Sequence, residues 1–272
     1  MSGTAAAGAR RKHRAAWLVV AVISALLIVS PMAVETWAYF GAHRPEPSQS
    51  IELAPGGRVQ RLQVDAGSAS VTVRPGPAGQ VRVTQKLTWS MKKPQVRKVW
   101  DGGVLKVQAV CSEWWSPAGL GCSVKLEFDV PPEIEIQIVG SSGSTDVHGT
   151  TGRLDLTSTS GSTTLTDVGG TIWARTGSGT IEGTGLSSRT ANVGANSGSL
   201  DLAFRSAPEK VTGKVGSGSV RIGVPPGSRY QVVGRSGSGS REYAAGLEDG
   251  TSRRVIDATA GSGSVDVVYE AP

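Results

Sequence analysis

Histidine, methionine and phenylalanine occur three times each in this 272-residue chain, and cysteine only twice. So few imidazoles and thiols leave little from which to build a zinc centre. The chain also lacks an HExxH pair, a Gly-Lys-[Ser/Thr] phosphate loop, a dinucleotide fingerprint, a Gly-x-Ser-x-Gly elbow and the Gly-Gly-x-Gly-x-Asp copies of calcium-binding rolls. Charged residues make up 18% of it, too few for a highly charged disordered chain, and apolar residues 38%, too few for a multi-span membrane protein. What is abundant is glycine, with 37 residues alongside 14 prolines. Helices are weakened by each internal glycine or proline, so a helix-rich enzyme is excluded and a Gly/Ser/Thr/Val-rich β protein remains. The length suffices for one sizeable domain with its own core.

No acidic residue precedes Glu35, whereas Arg10, Arg11, Lys12 and Arg14 contribute +4 of the formal +6 charge. The remainder is nearly neutral, which argues against a nucleic-acid partner. Ala15 to Val34 then runs without a charge, long enough as a helix to cross about 30 Å of hydrocarbon. The basic cluster before it places the N-terminus in the cytoplasm and the bulk of the chain outside. Trp17, Trp37, Tyr39 and Phe40 flank the run where amphipathic rings favour the headgroup boundary. The alternative is a signal peptide cleaved after Thr36-Trp37-Ala38, although such peptides usually have apolar cores of only ~7 to 15 residues. The expected organisation is a basic tail over 1–14, a transmembrane anchor over 15–40 and a Pro-rich linker over 41–50. A degenerate first coil with a capping hairpin region follows over 51–132, and a repeat array over 133–272.

Cys111 and Cys122 both lie beyond the anchor, in a compartment where disulfides persist. They sit between alternating segments, Val104 to Val110 and Ser123 to Val130, and a hairpin of these would bring the sulfurs together. A disulfide is therefore expected, two free buried thiols being the alternative. The loop that it would close carries Trp114 and Trp115.

From Gly140 onward the chain repeats a Ser-Gly-[Ser/Thr] turn, with its glycine at Gly143, Gly161, Gly179, Gly198, Gly218, Gly239 and Gly263. The intervals of 18, 18, 19, 20, 21 and 24 residues are those of a solenoid rather than a random linker. Seven residues before each glycine stand Ile136, Leu154, Ile172, Ala191, Val211, Val232 and Ile256, all apolar. Two and four residues after it come pairs such as Leu200 and Leu202, Val220 and Ile222, or Val265 and Val267, with only Arg241 clearly out of place. Period-two alternation on both sides of a tight turn predicts strand, turn, strand and a looser return. An earlier unit, Leu62 and Val64, Ser68-Ala69-Ser70, then Val71 and Val73, has alanine in place of the glycine. The fold class is thus all-β, a β-solenoid of stacked two-strand coils behind one N-terminal transmembrane helix. Its open ends need caps, since they would expose both core and strand edges.

Copies such as Thr176-Gly-Ser-Gly-Thr-Ile-Glu182 and Val215-Gly-Ser-Gly-Ser-Val-Arg221, behind an anchor and a two-cysteine segment ending in Val130-Pro-Pro, carry a family likeness over roughly residues 50 to 272. The chain resembles the bacterial putative-adhesin family of extracytoplasmic β-strand repeat proteins. That resemblance implies a β-solenoid attached to the cell envelope, and it brings no catalytic residues, metal ligands or cofactor.

Three residues past each glycine an outward row reads Asp146, Thr164, Glu182, Asp201, Arg221, Glu242 and Asp266. Stacked coils would set its members about 4.8 Å apart, compatible with paired carboxylates acting on a glycoside or with a cation site. The simpler reading is a solvated face whose charges oppose edge aggregation. Six residues before the glycine the outward row is Gln137, Asp155, Trp173, Asn192, Thr212, Val233 and Asp257. Trp173 is its anomaly: an outward indole either stacks on a sugar or partner, or is covered by a neighbouring loop. Trp173, Trp114 and Trp115 are therefore the candidate binding anchors. The expected function is a non-enzymatic, adhesin-like binding or scaffold surface at the plasma membrane, held by lipid contacts of its N-terminal helix. Its partner would be an envelope polysaccharide or a membrane protein. The alternatives are a polysaccharide-acting enzyme and an accessory envelope-stress sensor.

Overall fold

The computed structural model describes residues 17, 19–26, 29–30, 46–54, 58–89, 93–111 and 122–270. Residues 19–26 and 29–30 of the apolar run are helical. No helix among the described residues is long and apolar enough to cross a membrane, and the rest of the expected anchor lies outside them. All else regular is strand. The first strands are β1 (Glu46–Leu53), β2 (Arg61–Gly67), β3 (Ser70–Pro75), β4 (Gln80–Trp89), β5 (Gln95–Asp101), β6 (Val104–Val110) and β7 (Cys122–Val130). The array begins with β8 (Glu135–Gly140), β9 (Thr145–His148), β10 (Leu154–Ser160), β11 (Thr163–Thr166), β12 (Ile172–Leu186) and β13 (Thr190–Phe204). It ends with β14 (Lys210–Ser217), β15 (Val220–Val224), β16 (Gln231–Val233), β17 (Ser236–Ser238), β18 (Arg241–Tyr243), β19 (Val255–Ser262) and β20 (Val265–Tyr269).

These strands pair into two ladders. The first runs β5–β6–β2–β8–β10–β12–β13–β14–β19 and ends on β16 and β17. The second runs β1–β4–β7–β3–β9–β11–β12–β13–β15–β20–β18. β12 and β13 pass through the turn and serve both. Pairing is parallel except at the N-terminal edge, where β5 on β6, β1 on β4 and β4 on β7 are antiparallel. The inward rows of the two ladders meet in one core: a Cβ at Gly213 would touch Val220, Ile222 and Leu200 of the facing ladder. Every apolar residue expected seven places before a turn glycine is buried, Ile172 and Ile256 completely, while Arg241 is exposed as its charge requires.

The turn glycines answer to more than backbone freedom. Gly198 has φ +138°, outside the range of side-chain-bearing residues, and a Cβ there would overlap the carbonyl oxygen of Gly179 in the adjacent coil. Gly218 stands in the same relation to Gly198, Gly263 to Gly218 and Gly239 to Gly263.

That last pair corrects the sequential stacking implied by the repeat. The final coil, β19 and β20, lies between the coil of β14 and β15 and the coil of β16 to β18, with Val211 opposite Ile256 and Ile256 opposite Val232. The physical reason lies in the penultimate coil. It carries the exposed Arg241 at an inward position and has its first strand broken at Gly234, so it suits an edge, whereas Val265 and Val267 suit an interior rung. Tyr230 and Leu247, both fully buried, come from the segments flanking it.

The N-terminal end departs from expectation in two ways. β6 and β7 do not form a hairpin with each other; each pairs into a different ladder, so the segment is another coil. Cys111 and Cys122 are disulfide-bonded, with their Cα atoms 5.9 Å apart, at the crossing where other coils have the Ser-Gly-Ser turn. The bond staples the two ladders together. Replacing both cysteines by serine is expected to lower stability by about 2 to 3 kcal/mol, checked by urea titration of both forms. An unchanged midpoint would show that the crossing holds without it. Second, β1 begins at Glu46, so half of the expected 41–50 linker is the outermost strand of the second ladder. Between the edge strands Lys98 Nζ lies 3.0 Å from Glu52 Oε1 and donates to Ser50 Oγ. Burial pushes the Glu52 carboxyl up, but the hydrogen bonds from Lys98 and Ser50 and the lysine charge prevail and hold it below its ordinary value. Charges set inward at an edge discourage further strand addition.

Candidate binding surface

Parallel, in-register stacking turns each outward position of the repeat into a row across the first ladder. Six places before the turn glycine the spatial order is Gln137, Asp155, Trp173, Asn192, Thr212, Asp257 and Val233. Four places before it stand Val139, Thr157, Arg175, Gly194, Lys214 and Thr259. Next to Arg175 and Lys214, the missing side chain of Gly194 opens a notch. Together with Gly177 and Gly216 on neighbouring rungs it forms a groove of about 500 Å³, walled by Thr157, Arg175, Asn196 and Lys214.

Trp173 does not line this groove itself but packs against Arg175, which does. The indole is half-buried, and Arg175, two residues along the same strand, sets its guanidinium 5.3 Å from the ring centroid. Residues two apart on a strand share a face, so the pair is set by the sequence itself. Arg175 Nη2 also donates to Asn192 Oδ1 at 2.9 Å, and Nη1 lies over Gly194, where any Cβ would collide with it. Lys214 Nζ is paired with Asp257 at 2.9 Å, with its side chain still 52% exposed.

The outward row three places after the glycine belongs to the second ladder, in the order Asp146, Thr164, Glu182, Asp201, Arg221, Asp266 and Glu242. Glu182 and Asp201 stand exposed on adjacent rungs, and Arg221 Nε approaches Asp201 Oδ1 at 3.9 Å. No group of three or more His, Cys, Asp or Glu side chains suited to a metal ion occurs among the described residues. The groove is on the other ladder, away from these carboxylates. Trp114 and Trp115 lie outside the described residues. Reading the repeat only at the rows that hold Trp173 and the acids passes over Arg175, Gly194 and Lys214, although the same register reveals them at one further offset.

The family model for Toastrack DUF4097 matches residues 59–269. No curated protein matches the chain. Among solved structures, one described as a putative adhesin from Bacteroides fragilis is similar at 9% identity and a TM-score of 0.48, covering 83% of this chain and 97% of that one. A putative lipid binding protein from Parabacteroides distasonis is similar at 13% identity and a TM-score of 0.42, covering 84% and 97%. A putative cell adhesion protein from Clostridium sporogenes is similar at 15% identity and a TM-score of 0.35, covering 83% and 100%. With the match spanning the whole of the stacked array, this chain belongs to the Toastrack DUF4097 family.

Proposed function

We propose that the chain is an envelope-anchored, extracytoplasmic binding surface of adhesin-like kind, with residues 15–40 as a retained transmembrane helix. The uncharged run behind a basic cluster supports the anchor and its orientation, and the disulfide suits an oxidising compartment. Because β1 starts at Glu46, the β1 and β5 end of the solenoid is tethered close to the membrane and the array extends away from it.

The observation that carries the binding reading is Trp173, an indole on an outward strand position whose ring meets Arg175 at the edge of a groove. A partly exposed tryptophan offers large contact area with little rotamer entropy to lose. Trp173→Ala is expected to weaken retention of the full-length chain on isolated envelope material at least tenfold while shifting the melting temperature by no more than a few degrees. A large melting shift with retention intact would make the ring a packing element. Reproducible glycan cleavage, lost in Glu182→Gln and Asp201→Asn, would replace the binding reading with an enzymatic one.

A further inference from the structure

We propose that the groove beside Trp173 takes an anionic glycan, a polymer bearing carboxylates or phosphates at intervals along its chain. This rests on the binding reading above and names its ligand class. Two cations and no acid line the groove. Arg175 makes no ion pair among the described residues, although Asp155 and Asp257 stand on the same face. Instead the ring of Trp173 and the amide oxygen of Asn192 hold its guanidinium over Gly194, which fixes the cation in place before any ligand arrives. The fork of a guanidinium matches a carboxylate or a phosphate through two parallel donors.

Lys214 stands two rungs from Arg175, and strand spacing puts their backbones about 10 Å apart. Arg175 leans one rung toward Lys214, over Gly194, and Lys214 leans away toward Asp257 on the next rung, so the two charges stay apart along the groove as charges do on successive repeats of a polymer. Gly177 and Gly216 carry no side chain on the two cation rungs, and between them the guanidinium over Gly194 is the floor on which a polymer would rest. Thr157 and Asn196, both exposed, offer hydrogen bonds to hydroxyls along the walls. Trp173 acts here as a positioning residue for Arg175 as well as a contact. Lys214 can turn from Asp257 to a ligand, because an exposed ion pair is worth little.

The test uses the full-length chain in detergent with four immobilised probes: polygalacturonate, its methyl-esterified form, a phosphomannan and polyglutamate. The expected result is binding of polygalacturonate or the phosphomannan at least tenfold tighter than of the esterified polymer. Whichever of the two binds better identifies the anion as carboxylate or phosphate. Arg175→Gln and Lys214→Gln should each weaken that binding at least fivefold, with melting temperatures unchanged, and added salt should weaken it in the wild type. Equal binding of the esterified polymer, indifference to both substitutions, polyglutamate held as tightly as the glycans, or no glycan bound at all would each overturn the inference. If envelope retention still depends on Trp173 in any of these cases, the binding reading survives its loss; without such dependence both fall.

Discussion

Ile172→Asp is expected to destabilise the chain by about 4 to 5 kcal/mol, against about 0.5 kcal/mol or less for Glu182→Lys ten residues later on the same strand. Ile172 is completely buried between Leu154 and Ala191, so an aspartate there is an unpaired charge in the core. Glu182 is exposed, with Thr164 and Asp201 on the flanking rungs. A lysine at 182 exchanges a like-charged neighbour for an opposite one, which if anything favours the fold. Chemical denaturation of the two variants checks the assignment of faces, and equal losses would reverse it. A penalty of that size is a large fraction of a domain's usual 5 to 15 kcal/mol and should lower the melting temperature by about 8 to 20 °C.

The second large effect is expected at the turn stack. Gly198→Ala should cost about 4 kcal/mol, combining an unfavourable φ with an overlap that forces two coils apart. Two other glycines separate those contributions. Gly227 also has a positive φ, +79°, but open space around its Cβ position, so Gly227→Ala should lose only about 1 to 2 kcal/mol. Gly250 has neither constraint, and Gly250→Ala should be neutral within about 0.5 kcal/mol. Thermal unfolding of the three should rank them in that order. Equal losses at 198 and 227 would mean that the neighbouring carbonyl gives way, and that φ alone selects glycine in the repeat.

Residues whose role depends on their nearest neighbours in sequence were readable before any coordinates. The inward rows, from Ile136 to Val267, follow from period-two alternation, and Ala69 could be matched to the turn glycines by offset alone. Trp173 stood out for the same reason, as a large ring at a position where other copies are mostly polar. Its partnership with Arg175 is equally local, two residues apart on one strand face. The groove was harder to see. It exists because Arg175, Gly194 and Lys214, separated by 19 and 20 residues, come into register across three coils, and what forms it is an absent side chain.

The sequence by itself determined which face of the repeat strands is buried, where the Ser-Gly-Ser turns fall and that a disulfide is available, because alternation, turn chemistry and cysteine count are local properties. Tertiary structure alone decided the order of the coils, the passage of β6 and β7 into separate ladders and the pairing of β1 as an edge. Each coil presents nearly the same backbone donors and acceptors to its neighbours, so ladder pairing does not distinguish one partner from another. The choice falls to burial at the ends: the coil with Arg241 can tolerate one open side, the coil with Val265 and Val267 cannot, and the chain loops out and back to place each accordingly.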